Sequence, residues 1–155
     1  MRSLYFYREN GVVIAIMAIH VDDILWASIS ESDDPVRWML NMFEIKEAKT
    51  RSVRYCGREY FQYDDKSINI TCKSNIECIA PINFTIKDRE KADLATESEI
   101  SQLRSVLGSA GWIARQCRME FAYKYSELQS VVTNARVQDL IDANELVSQL
   151  QRHRR

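Results

Sequence analysis

Three pairs of adjacent aspartates stand in this 155-residue chain: Asp22-Asp23, Asp33-Asp34 and Asp64-Asp65. Neighbouring carboxylates repel, and removing them from water makes the repulsion costlier. A divalent cation relieves that cost. Hard oxygen donors suit Mg²⁺, which takes one or two protein carboxylates together with substrate phosphates. Aspartate pairs are also common in turns, where the short side chain bonds nearby backbone. Asp33-Asp34 stands just before Pro35 and reads as a helix cap. Asp64-Asp65 reads as a polar turn between strands. Asp22-Asp23 differs in its setting. It follows the apolar run from Val12 to Ile19 and precedes Ile24-Leu25-Trp26-Ala27-Ser28. These are the two acids to weigh for metal chemistry.

The elements around that pair set its position. Asn10-Gly11 lies between Leu4 to Arg8 and Val12 to Ile19. An Asn-Gly step between apolar runs predicts a tight hairpin, because its turn needs positive φ twice. Val12 to Ile19 lacks alternation, so this strand is expected to be covered on both faces. A second hairpin follows, with Asp22 and Asp23 at its tip. Asp34 and Pro35 open a helix whose stripe is Val36, Met39, Leu40 and Phe43. Val53 to Phe61 and Ile68 to Cys72 are strand-like. Ser74 to Ile79 reads as a short helix that Pro81 stops. Asn83 to Ala95 is polar and irregular.

Thr96-Glu97-Ser98-Glu99 then fits a capping box. A long helix follows, with Ile100, Leu103, Val106, Leu107, Ala110, Ile113, Ala114 and Cys117 on one face. Gly108 and Gly111 each cost about 1 kcal/mol of helix propensity, so close packing is expected at both. Phe121 to Val132 and Val137 to Leu150 predict two more helices, with Thr133-Asn134 between them. Strands with one helix, then helices alone, predict an α+β fold.

Composition narrows the class. The chain has 46% hydrophobic and 28% charged residues and a net charge of −1, which excludes a uniformly basic nucleic-acid coat protein but allows a local patch. No apolar run approaches the ~20 residues of a membrane-spanning helix, and the N-terminus is too short and aromatic for a signal peptide. Cys56, Cys72, Cys78 and Cys117 form no C-x-x-C pair, and His20 and His153 lie at no zinc-finger spacing from them. Four buried or free thiols in a reducing compartment are the expectation. The protein is expected to be intracellular and cytoplasmic, or nuclear.

The run Ile19-His20-Val21-Asp22-Asp23-Ile24-Leu25-Trp26-Ala27 resembles the Tyr-Val-Asp-Asp box of reverse transcriptases, in the form used by copia-type retrotransposons. Phe43-Glu44-Ile45-Lys46 and Tyr55-Cys56-Gly57-Arg58-Glu59-Tyr60 are similar to that family's segment after the box. Ser105 to Arg118 is similar to its later helix, and Phe121 to Val132 and Asp139 to Asn144 follow its pattern. His20 stands where the box usually has tyrosine, and Met119-Glu120 where the family usually has Pro-Asp. The collinear resemblance spans nearly the whole chain.

The resemblance implies a palm-like antiparallel sheet with a helix over residues 1–80. A connector and a thumb-like three-helix region would follow over residues 81–155. It implies that Asp22 and Asp23 are the catalytic, metal-binding carboxylates for Mg²⁺-dependent nucleotidyl transfer. The partners it implies are an RNA or DNA primer-template and a deoxynucleoside triphosphate. A third carboxylate and the fingers would come from an earlier polymerase region. The expectation is therefore a C-terminal reverse transcriptase fragment that binds Mg²⁺ weakly and is inactive alone. The alternatives are a non-catalytic or domesticated remnant that binds nucleic acid or protein, and an unrelated domain whose Asp-Asp is only a turn.

Lys46, Lys49, Arg51, Arg54 and Arg58 fall within 13 residues, interleaved with Tyr55, Tyr60 and Phe61. Cations hold a nucleic-acid backbone and aromatics stack on its bases, so this stretch is the candidate nucleic-acid contact. The competing reading is a solvated face neutralised by Glu44, Glu47 and Glu59. Trp38 and Trp112 are expected as core anchors. Arg115 and Arg118 are expected to pair with acids at the surface. Arg152-His153-Arg154-Arg155 is a basic tail.

Overall fold

The computed structural model describes residues 3–29, 37–38, 41–42 and 48–152. The fold is α+β; among the described residues, two three-stranded antiparallel sheets and four α-helices are formed. It divides into two compact units, Met1–Asn69 and Ile70–Arg155.

The first sheet has the order β1 (Ser3–Glu9), β2 (Val12–His20), β3 (Asp23–Ser28). Asn10 and Gly11 have φ of 49° and 81°, the double positive turn expected of Asn-Gly. The register runs Tyr5–Met17–Trp26 across one face and Leu4–Ala18–Leu25 across the other. A bulge between Tyr7 and Arg8 adjusts the pairing near the turn. Ala15 and Met17 are buried, with Ile19, Ile24 and Trp26 packed against them. The opposite face is open. Leu4, Phe6 and Ile16 are 54%, 52% and 42% exposed. The expectation that β2 is covered on both faces is therefore wrong, since only one face of its apolar run has found neighbours.

The second sheet has the order β4 (Ser52–Tyr55), β5 (Arg58–Gln62), β6 (Ile68–Thr71). A single strand over Val53 to Phe61 is not formed. Cys56 and Gly57, with φ of 50° and 77°, reverse the chain and split it into a hairpin. Asp64-Asp65 forms the expected turn, with Asp65 accepting from Ser67 N at 2.9 Å and Ser67 Oγ at 2.6 Å. The Ser67 hydroxyl and amide hold the Asp65 carboxyl below its usual range. The helix expected from Asp34 to Phe43 lies largely outside the described residues, as do Asp33 and Asp34. Trp38 is described and is 69% exposed, so it is not a core anchor.

The second unit is built on α1 (Lys73–Glu77), α2 (Glu97–Gln116), α3 (Ala122–Val131) and α4 (Val137–Arg152). Short 3₁₀ turns at Met119–Phe121 and Val132–Asn134 bracket α3. Apolar stripes meet in one core, where Leu103, Leu107, Ile113, Leu128, Leu140 and Val147 are buried, with Trp112 and Tyr125 against them. Ile76, Ile79 and Ile82 join the same core. The polar connector is pinned by side chains of α4. Asn144 clamps both backbone groups of Ile82, accepting at 2.7 Å and donating at 2.9 Å, and Gln151 donates to Ile79 O.

The start of α2 is the expected capping box. Thr96 Oγ1 accepts from Glu99 N at 3.3 Å, and Glu99 Oε2 accepts from Thr96 N at 2.7 Å. Arg89 adds a fork, with Nη1 on Oε1 at 2.7 Å and Nη2 on Oε2 at 3.2 Å. The expectation of four unpaired thiols is corrected: Cys72 and Cys117 are joined by a disulfide, while Cys56 and Cys78 are free. Sequence spacing does not reveal such a pair, because the two sulfurs meet only after α1 packs on α2.

Candidate functional site

The β2–β3 reversal is a two-residue turn, Val21-Asp22, closed by the His20–Asp23 pair. Asp22 is in the turn and Asp23 is the first residue of β3, as expected. Both side chains are exposed. Val21 has φ of 56°, where a β-branched side chain crowds its own backbone. Such strain persists only where the surroundings enforce it, and here the short connection between two paired strands does so. Strand alternation puts Asp23 on the same sheet face as Leu25, which is the open face.

The β4–β5 hairpin of the same unit carries further groups. Tyr55 and Arg58 are direct cross-strand partners, as are Val53 and Tyr60, and all four share one face. Burial raises the Tyr55 phenol above its usual value. Cys56, Tyr60 and, least of all, the Asp23 carboxylate push it the same way. Arg58 Nε is buried and has no hydrogen-bond partner among the described residues. A buried unsatisfied donor is uncommon, and a guanidinium accepts no proton but donates readily to phosphate oxygens.

The candidate cations that the structure describes are not all on one surface. Lys46 lies outside the described residues. Lys49 is exposed. Arg51 pairs with Asp64 at 2.7 Å, both well exposed. Arg54 stands opposite Glu59, on the other face of the hairpin from Arg58. The Tyr55–Arg58 cross-strand pair is the grouping that linear spacing did not show, because it depends on the Cys56-Gly57 turn. Gly57 between two aromatic-rich runs was the signal for that turn.

In the helical unit, Arg118 pairs with Glu120 and lies over the Phe121 ring at 4.8 Å. Arg115 Nε donates to Gly111 O at 3.0 Å. Both arginines are thus engaged locally.

The donor set was tested against Mg²⁺. Asp22 and Asp23 are adjacent carboxylates, and among the described residues no group of three His, Cys, Asp or Glu side chains converges. Those residues do not complete a cage for the ion. Among them no helix is long and apolar enough to cross a membrane. No protein-family model, curated protein or solved structure matches this chain.

Proposed function

We propose that this chain is the late-palm and thumb-like part of a copia-type reverse transcriptase lineage. It contributes Asp22, Asp23 and the β4–β5 hairpin to a nucleic-acid surface and does not catalyse alone. The observation that carries this reading is the Asp-Asp pair at a strained two-residue hairpin tip, with the Tyr55–Arg58 pair and its unsatisfied Arg58 Nε in the same compact unit. The open apolar face of the same sheet supports it further. Contiguous exposed apolar surface marks a site of association, and an earlier polymerase region carrying the third carboxylate is the partner this reading requires. On this reading the chain works inside the cell, in the cytoplasm or nucleus.

The second reading is a remnant that keeps nucleic-acid binding without catalysis. That no third acid joins Asp22 and Asp23 among the described residues favours it. Both readings assign Arg58 to a phosphate. The test is binding of a labelled primer-template duplex by the full chain, titrated with salt. Binding should weaken with salt, because phosphate contacts release counterions. Arg58→Gln should weaken affinity and flatten the salt slope by about one. No detectable binding, or an unchanged slope in Arg58→Gln, overturns the assignment. Supplying the preceding polymerase region in trans separates the two readings: primer extension appears only under the first.

A further inference from the structure

The disulfide joins the start of one helix to the end of another. Cys72 is the N-cap of α1 and Cys117 the C-cap of α2, with Cα atoms 6.4 Å apart and a sequence separation of 45. Helix α1 has five residues, and its N-cap makes no side-chain capping bond. A helix that short has no stability of its own and depends on tertiary attachment. Cys72 is 1% exposed within the helical core, whereas Cys117 is partly exposed. Cys117 is therefore the more accessible end of the bond and Cys72 the shielded one.

We propose that Cys72–Cys117 is a redox-sensitive clip. Oxidised, it fastens α1 to α2; reduced, it lets α1 loosen and weakens the helical unit. The reductant is a dithiol. One of its thiolates attacks Cys117 Sγ, and the sulfur–sulfur bond breaks. The electron pair leaves on Cys72 Sγ, which takes up a proton. The second thiolate of the dithiol then attacks the mixed disulfide and releases Cys117, which is protonated in turn. The dithiol departs as its own disulfide, having supplied two electrons and two protons. Cys72 is a poor leaving group in apolar surroundings, so exchange is slower than at an exposed disulfide. Once reduced, Cys72 remains a small apolar side chain in the core. The unit therefore stays folded, but its unfolded chain regains the freedom of an open loop. This inference stands apart from the polymerase reading and uses none of its residues.

The test equilibrates the full chain in dithiol/disulfide buffers of graded poise, alkylates it in denaturant and maps the peptides. Thermal unfolding is followed in parallel by the far-ultraviolet helix signal. The oxidised chain should show a linked Cys72–Cys117 peptide and alkylation only at Cys56 and Cys78. Its melting midpoint should lie about 10 °C or more above that of the reduced chain. Cys117→Ser should melt near the reduced chain at every poise. Replacing both Cys56 and Cys78 with serine should preserve the shift, since neither sulfur is in the bond. Absence of the linked peptide at every poise overturns the proposal. So does a linked chain whose midpoint equals that of the reduced one.

Discussion

Tyr125 closes over Gly111. A Cβ added to Gly111 would stand 2.4 Å from Tyr125 Cε2 and 2.5 Å from Cζ, well inside van der Waals contact. Helix α3 approaches α2 at a residue that has no side chain to obstruct it. Gly108, one turn earlier on α2, has nothing within 4 Å of the same added atom. Close packing thus explains one of the two glycines, and the expectation of it at Gly108 is wrong. Nothing in the structure explains Gly108.

The two positions should respond with opposite signs. Gly111→Ala forces the ring aside, at a cost of about 1–3 kcal/mol for overpacking, offset by about 1 kcal/mol of helix propensity. A net loss of about 1 kcal/mol is expected in denaturant unfolding. Gly108→Ala should gain about 0.5–1 kcal/mol from propensity alone. Adding Tyr125→Leu to Gly111→Ala should recover much of the loss, giving a measurable coupling. Two substitutions of the same sign would mean that the ring moves away freely.

Val21 should be replaceable with profit to stability. Its φ of 56° is strained for valine, and the side chain is 87% exposed, so little burial is lost. Asparagine tolerates that backbone region, and relief of such strain is worth about 1 kcal/mol or more. Val21→Asn should raise the unfolding free energy by about 1 kcal/mol. Val21→Gly should gain less, because glycine also frees the unfolded chain. Equal stability in all three would show that the turn relaxes without strain in solution.

Legibility followed the range of the forces involved. Asn10-Gly11 and the two apolar runs beside Asp22 are local signals, and the hairpin tip could be placed from them. Thr96 and Glu99 are three residues apart, so their capping box was equally plain. The stripes holding Leu103, Leu107, Leu140 and Val147 identified the buried sides of their helices. What escaped depended on contacts made after folding. The open face of β2 follows from missing neighbours rather than from its own run of apolar residues. Aromatic continuity across Tyr55, Tyr60 and Phe61 masked the Cys56-Gly57 turn. With that turn unseen, the pairing of Tyr55 with Arg58 was also hidden. Cys72 and Cys117 carry no local mark of their pairing.

Acid should weaken the helical unit through Glu99. The Arg89 fork holds the Glu99 carboxyl below its usual range, with the Thr96 amide and hydroxyl acting alike and burial opposing them. A depressed carboxyl means that the unfolded chain binds this proton more readily than the folded one. The stabilisation is complete above the ordinary glutamate value of about 4.3 and fades as pH falls through the lower folded value. Glu99→Gln removes the ionised partner of Arg89 and should flatten this part of the stability profile. Melting curves between neutral pH and about pH 3 would check it. A wild-type and variant profile of identical shape would mean that Glu99 titrates normally when folded.

Primer extension should be undetectable with this chain by itself. Two-metal nucleotidyl transfer needs carboxylates that fix both ions roughly 3.5–4 Å apart. Asp22 and Asp23 are adjacent at one hairpin tip, and no third His, Cys, Asp or Glu joins a cluster among the described residues. Phosphoryl chemistry of this kind rests on positioning and charge stabilisation, so an incomplete donor set removes most of the advantage. Orientation of primer and nucleotide can supply about 7–11 kcal/mol in well-aligned systems. The proposed reading assigns that role to a separate region. The measurement is extension of a DNA primer on an RNA template with Mg²⁺ and purified protein, run beside Asp22→Asn. Background signal equal in both proteins is the expected result. Extension present in the wild type and lost in Asp22→Asn would show that another acid completes the site. Glu9 is not that acid, because it pairs with Val12 at the β1–β2 turn, the far end of β2 from the His20–Asp23 pair.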